Sequence, residues 1–262
     1  MYHPAMRTIT LFAMLVVLAG CGGKEYASTL DRVHDRGVLV IGTEPEFPPF
    51  ESLDENGKLV GFDIDLARAI AKDLGVDVRF ETMAFDSLPS ALGVGKIDVI
   101  LSGMTATAER AKSRAFTDSY FRTQLCLLVG KDAAIQKPPD ADGKRVVVKL
   151  GTTGDINASR LFPHAEITKF DAEGACALEV IHGRADAFLY DRHSILRHHL
   201  AHPDTTRALL EPLSDEPYAM AVRLGDQVFV DRLNGFLQDI RKDGRYAALY
   251  EKHFGVPPDD PK

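Results

Sequence analysis

The 262-residue chain sets 31 Lys and Arg against 38 Asp and Glu, a formal net charge of −7. An acidic chain with no basic run argues against a nucleic-acid partner, because phosphate contacts need clustered Lys and Arg. With 45% of its residues hydrophobic it can build a sizeable core, and its length allows one or two domains.

The N-terminus reads as a targeting segment. Arg7 is the one charge in residues 1–20 and precedes an apolar run from Leu11 to Ala19. That is the order of a secretory signal, and the run is too short for a bilayer, which takes about 20 apolar residues. Leu18-Ala19-Gly20-Cys21 resembles a bacterial lipobox. The resemblance implies cleavage before Cys21 and a diacylglyceryl group on its thiol. Residues 1–20 are then a signal peptide and 21–29 a lipidated tether. The plainer alternative is an ordinary signal peptide with a chance cysteine. Met6 would also serve as a start, and Gly22 is not the Asp associated with inner-membrane retention. Losing Arg7 with the signal deepens the net charge from −7 to −8.

Apolar runs then alternate with helical patterns. Val38 to Ile41 is a short strand, and Asn56-Gly57 marks a hairpin turn. Leu66, Ile70, Ala71 and Leu74 fall on one helical face from Asp65 onward, with Gly75 as its cap. A strand over Val76 to Thr82, a helix over Phe85 to Leu92 and a strand over Ile97 to Leu101 follow. The pattern repeats with strands at Gln124 to Val129, Arg145 to Lys149, Glu166 to Phe170 and Ala187 to Tyr190. Helices are expected from Gly154, over Glu173 to His182 and over Arg192 to Leu200. Tyr218 to Val222 leads to closing helices at Val228 to Asp239 and Arg245 to Phe254. Such alternation predicts an α/β fold with mostly parallel sheets.

Residues 99–110 carry the first functional signal. The apolar run ends in Ser102-Gly103-Met104-Thr105, and Arg110 follows. Exposed N–H groups at a strand-to-helix turn attract an anion, and a guanidinium can clamp a carboxylate through two parallel hydrogen bonds. A plain turn with a surface Arg is the competing reading.

Further segments keep this loop company. They are Gly42-Thr43-Glu44 with Phe47-Pro48-Pro49-Phe50-Glu51, Gly61-Phe62-Asp63-Ile64-Asp65-Leu66, Gly95-Lys96-Ile97-Asp98 and Phe116-Thr117-Asp118-Ser119-Tyr120. Later come Gly151-Thr152-Thr153, Gly183-Arg184-Ala185-Asp186-Ala187 with Asp191, Lys242-Asp243-Gly244 and His253-Phe254-Gly255. In this order, over residues 30–255, they resemble the family 3 bacterial extracellular solute-binding proteins, the polar-amino-acid receptors of ABC importers. The resemblance implies a two-lobe periplasmic-binding-protein fold (type II) with a ligand cleft between lobes. Lobe 1 would be 30–121 plus 215–262 and lobe 2 would be 122–214, with crossings near Tyr120–Thr123 and Leu213–Pro217.

It also implies roles. Arg110 takes the α-carboxylate of an L-amino acid, helped by the amides of Thr105 and Thr153. Asp191 takes the ammonium with the Gly103 carbonyl and the Thr105 hydroxyl. Ser102 and Thr152 belong to the two binding loops. Phe47 and Phe85 wall the side-chain pocket, and Glu44 meets a polar or cationic side chain. Each has a plainer reading: Asp191 as a helix N-cap, the two Phe as core, and Glu44 as a solvated carboxylate. Gly103 stands where relatives carry a hydroxyl. The expected partners are a polar, basic or amide-bearing amino acid and an ABC permease in the inner membrane. The chain is expected to act as an extracytoplasmic, lipid-anchored monomer without a cofactor.

Other signals are thinner. Cys126 and Cys176 would share lobe 2 and are either a disulfide or two buried thiols. His193, His198, His199 and His202 crowd one helix, which reads as a solvated face, although His198 and His202 are one turn apart. Asp155 is either an added cleft charge or a residue facing its helix dipole. The rival function is a cyclohexadienyl dehydratase-like lyase on the same scaffold, with Glu44, Asp155 or Glu173 as general acid.

Overall fold

The computed structural model describes residues 24–258. The expected signal peptide and Cys21 lie outside the described residues. The predicted tether does not extend to Thr29, because a helix starts there. Ser28 caps the helix Thr29–Arg36 in a reciprocal box with Asp31, and Lys24 and Tyr26 both bond Asp35. This helix was not anticipated, since only Val33 and Thr29 are buried along it.

Two five-stranded sheets form the framework, each with three parallel strands followed by two antiparallel ones. The first runs Asp77–Thr82, Val38–Thr43, Val99–Ile100, Ala221–Arg223, Arg114–Phe116. The second runs Glu166–Phe170, Arg145–Lys149, Ala187–Asp191, Leu125–Gly130, Thr206–Leu209. Two strands, Phe121–Thr123 and Glu216–Tyr218, pair antiparallel where the chain passes between the sheets. A small hairpin sheet of Glu46–Phe47, Glu51–Leu53 and Leu59–Val60 rests beside the first lobe.

Local chemistry explains most element ends. The helix Phe62–Leu74 begins three residues earlier than its apolar face suggested and stops at Gly75 in the left-handed region. Gly61 sets that start: its φ is +132°, and a Cβ there would lie 2.1 Å from the Phe50 carbonyl oxygen. The single helix expected over Phe85–Leu92 divides into a 3₁₀ turn, Phe85–Ser87, and a helix, Leu88–Gly93, with Pro89 in its first turn. The strand expected over Ile97–Leu101 shrinks to Val99–Ile100. The Asp98 N–H still donates to the Val40 carbonyl (2.8 Å), but its side chain takes the Val40 N–H (2.7 Å) and pairs with Arg32 and Arg36.

Aromatic rings pack where the lobes meet. Phe121 stacks on Phe254 of the last helix (5.0 Å between centroids), and His193 of the second lobe meets Phe50, Phe121 and Phe254 edge-on. The His-rich helix is therefore not simply a solvated face. His193 packs inward and His198 bonds Glu173 at 2.7 Å. Cys126 and Cys176 are free, buried thiols. Burial lifts them to about 11 and about 12, so they stay protonated and pack as small hydrophobes.

Candidate functional site

A cavity lies between the sheets, at the carboxyl ends of Val38–Thr43 and Ala187–Asp191. Glu44, Phe47, Phe85, Ser102, Gly103, Thr105 and Arg110 line it from one side, Thr152, Thr153 and Asp191 from the other. Every ligand-binding candidate read from the sequence is thus on one wall or the other. Glu51 and Tyr190 line it too.

Arg110 is not at a strand-to-helix turn as expected. It opens a single 3₁₀ turn, Arg110–Lys112, beyond a loop. It is 7% exposed and donates to the Thr105 carbonyl (2.8 Å) and, across the cleft, to the Gly151 carbonyl (2.9 Å). Its guanidinium lies 5.5 Å from the Phe85 ring centroid. Burial lowers it to about 10, so it remains a cation at neutral pH. The N–H groups of Thr105 and Thr153, one from each lobe, make no hydrogen bond among the described residues. Together these supply donors for a carboxylate.

Asp191 precedes the helix Arg192–Ala201 in the N-cap position, yet its side chain does not cap it. It turns into the cavity and accepts from the Tyr218 hydroxyl at 2.5 Å. Burial raises it to about 7, and the Tyr218 bond only partly offsets this. A buried carboxyl with that environment lacks a cation. By contrast, Thr152 spends its hydroxyl on the helix Thr153–Leu161, accepting from the Asp155 N–H and donating to the Lys149 carbonyl (2.7 Å).

Behind Glu44, outside the cavity lining, lies a residue that sequence reasoning missed. Lys149 closes the strand Arg145–Lys149 and pairs with Glu44 from the opposite lobe. Glu44 is therefore not a solvated carboxylate. It is 7% exposed, also accepts from the Phe85 N–H (3.2 Å), and is raised by burial against the pull of Lys149. The signal was present: a charged residue at a strand's carboxyl end, where the clefts of α/β sheets lie. Phe47 stacks on Phe50 (5.0 Å) and meets Tyr190 edge-on (5.7 Å). Gly103 has φ +54°, and a Cβ would approach Phe47 to 2.7 Å, which accounts for the missing hydroxyl.

The three residues nominated as a general acid separate. Asp155 accepts from the Gly151 N–H (3.0 Å) and pairs with Lys169, away from the cavity lining. Glu173 is buried against Arg197 and His198. Only Glu44 faces the cavity, already paired. Among the described residues no cluster of metal-binding side chains occurs and no helix is long and apolar enough to cross a membrane.

Comparison with known proteins agrees with this architecture. Residues 39–256 match the family model for bacterial extracellular solute-binding proteins, family 3. The L-cystine-binding protein TcyJ of Escherichia coli is 30% identical, with 92% of each chain covered. The ABC transporter glutamine-binding protein GlnH of Bacillus subtilis is 31% identical, with 95% of each covered. An ancestral arginine-binding protein bound to glutamine superposes with a TM-score of 0.79 at 43% identity, covering 84% of this chain and 99% of that one. These relatives are binding proteins rather than enzymes. The chain belongs to the bacterial extracellular solute-binding proteins, family 3.

Proposed function

We propose that this chain captures a polar L-amino acid between its lobes and delivers it to an ABC permease. One observation carries the reading: Arg110 and Asp191 enter a single buried cavity from opposite lobes, with unused donors on one side and a carboxyl lacking a cation on the other. A zwitterion satisfies both, and only with the lobes together. The ligand then favours closure by its differential affinity for the closed state.

The Glu44–Lys149 pair narrows the side chain. A bare Glu44 would invite a cation. Paired with Lys149, it leaves the end of the cavity electrically balanced. An amide donates to Glu44 without adding charge, and the ammonium of cystine's second, net-neutral end can do the same. A guanidinium or ammonium adds a buried positive charge or must displace Lys149. The amide-bearing side of the initial expectation is thus favoured over the basic side. The relatives above, named for glutamine, cystine and arginine, span these choices.

In this reading lobe 1 comprises 30–121 plus 215–262 and lobe 2 comprises 122–214. Phe121–Thr123 and Glu216–Tyr218 serve as the hinge. The protein acts as a monomer outside the cytoplasm, made with a signal peptide and held to the membrane through lipidated Cys21. Calorimetric titration with glutamine, cystine, arginine, histidine, glutamate and leucine tests the function, alongside mass spectrometry of ligand released on denaturation. Binding of none of these, and release of no amino acid, overturns it.

A further inference from the structure

Ser102 and Gly103 form the loop wall of the cavity, and both are held from behind by carboxyl groups. The Ser102 hydroxyl donates to Glu51 Oε1 (2.6 Å) and accepts from the Glu44 N–H (3.0 Å). The Gly103 N–H donates to Asp63 Oδ2 (2.9 Å), which also accepts from the Tyr120 hydroxyl (2.7 Å). Glu51 begins the strand Glu51–Leu53, and Asp63 sits in the first turn of the helix Phe62–Leu74. Neither is more than 1% exposed.

Anchored to adjacent residues of one loop, the two carboxyl groups are neighbours, and each acts on the other's ionisation. Their remaining oxygens, Glu51 Oε2 and Asp63 Oδ1, are buried and have no hydrogen-bond partner among the described residues. No cation contacts either group among the described residues. The titratable groups facing them are Glu44, itself paired with Lys149, the phenols of Tyr120 and Tyr246, and Tyr190 from the second lobe. Asp65, two residues on, is taken by Lys252, Arg68 and His253. Two buried carboxylates in contact cannot both ionise.

We propose that Glu51 and Asp63 share one proton, and that this dyad is a positioning pair that sets Ser102 and Gly103 for ligand capture and makes capture weaken at alkaline pH. The proposal rests on the capture reading for its binding half only. Asp63 already accepts two bonds, so it is the better anion and the proton resides on Glu51, donated to Asp63 Oδ1. Both orphaned oxygens are then satisfied, and the dyad carries a single negative charge. Burial raises both groups, and Asp63 raises Glu51 further while the contact with Glu51 holds Asp63 down, in agreement with a proton retained on Glu51. Loss of that proton sets two anions against each other beneath the loop, and the anchors of Ser102 and Gly103 part.

Glu51→Gln tests this, because the amide donates permanently where the acid does so only when protonated. Asp63→Asn is the second variant, with its amide N–H donating to Glu51. Infrared spectra of the ligand-free protein at pH 7 should show buried protonated-carboxyl absorption that is reduced in Glu51→Gln, the Asp191 contribution being common to both proteins and cancelling in the wild-type-minus-variant difference. Melting temperature should fall from pH 6.5 to pH 8.5 more steeply in the wild type than in either variant. Calorimetry with L-glutamine and L-arginine as probes should show wild-type affinity dropping several-fold relative to Glu51→Gln over that range. Titration of Asp191 or the ligand is common to both proteins and cancels in the ratio. Equal carboxyl absorption in the wild type and Glu51→Gln, or parallel melting profiles in all three proteins, overturns the shared proton. If neither amino acid binds any of the proteins, the capture reading and the binding half fall together, while carboxyl absorption and melting profiles still decide the dyad.

Discussion

Lys149 and Glu44 form a buried ion pair that crosses the cleft, each residue placed at the carboxyl end of a strand in a different sheet. Neither strand could supply both charges, so the balanced end of the cavity exists only when the lobes meet. Breaking such a pair leaves one buried charge uncompensated, typically at about 3–5 kcal/mol. Lys149→Met should therefore turn Glu44 into an acceptor for a cationic ligand. The affinity ratio of arginine to glutamine, read by calorimetry, should rise at least about tenfold, or ~1.4 kcal/mol. An unchanged ratio would show that the pair does not meet the ligand's side chain.

The α-groups give a second prediction. Arg110→Met removes the guanidinium that spans Thr105 and Gly151, and Asp191→Asn removes the carboxylate that awaits an ammonium. Truncating one member of a buried charged contact costs about 2–5 kcal/mol of binding. Both folded variants should bind the best wild-type ligand at least ~30-fold more weakly. Wild-type affinity in either would remove that residue from the site.

Much of this was legible because the fold puts strand ends, and hence the residues after them, at one cleft. Asp191 and Glu44 were nominated by the family resemblance, and the place of Asp191 after Ala187–Tyr190 supported it independently. What stayed hidden was pairing across the lobes. Lys149 closes its strand just as Asp191 does, but nothing local says that its partner lies 105 positions away in sequence. Tyr218, which bonds Asp191, was hidden for the same reason. The helix Thr29–Arg36 escaped because it buries too narrow a face to give an apolar period, although its Ser28–Asp31 capping box is visible in the sequence.

Gly103 offers a steric test. Its φ of +54° costs a non-glycine residue about 1–2 kcal/mol, and a Cβ would press to 2.7 Å from Phe47. Gly103→Ser should therefore lower stability by at least about 1 kcal/mol and weaken binding, since Phe47 must leave its stack on Phe50. Adding Phe47→Leu should recover part of the binding loss. Denaturant melts and calorimetry on both variants decide it, and an unperturbed Gly103→Ser protein would show that the loop yields.

Anchoring is tested outside the described residues. Cys21 is the lipidation candidate, and one diacylglyceryl group carries two acyl chains, which hold a protein at a membrane far better than one. Cys21→Ala should leave the precursor unprocessed or release the mature protein from the membrane fraction. Fractionation with immunoblotting reads both outcomes, and unchanged processing with unchanged membrane association would exclude the lipid anchor.

Asp191 makes capture depend on pH in a direction that can be worked out. Its carboxyl is raised to about 7 in the ligand-free protein, chiefly by burial. A folded-state value above the usual Asp value of about 3.9 contributes stability that is full below that value and lost as pH rises through about 7. The ligand-free fold therefore loses this contribution on going from pH 5 to 8. Binding has the opposite dependence, because the ammonium needs the ionised form. Affinity should fall as pH drops below about 7, and capture at pH 6 should release a proton from Asp191. Titrations at pH 6 in two buffers of different ionisation enthalpy measure that proton directly. Asp191→Asn, if it binds at all, should release less. Binding heats identical in both buffers at pH 6 would mean that Asp191 is already ionised before the ligand arrives.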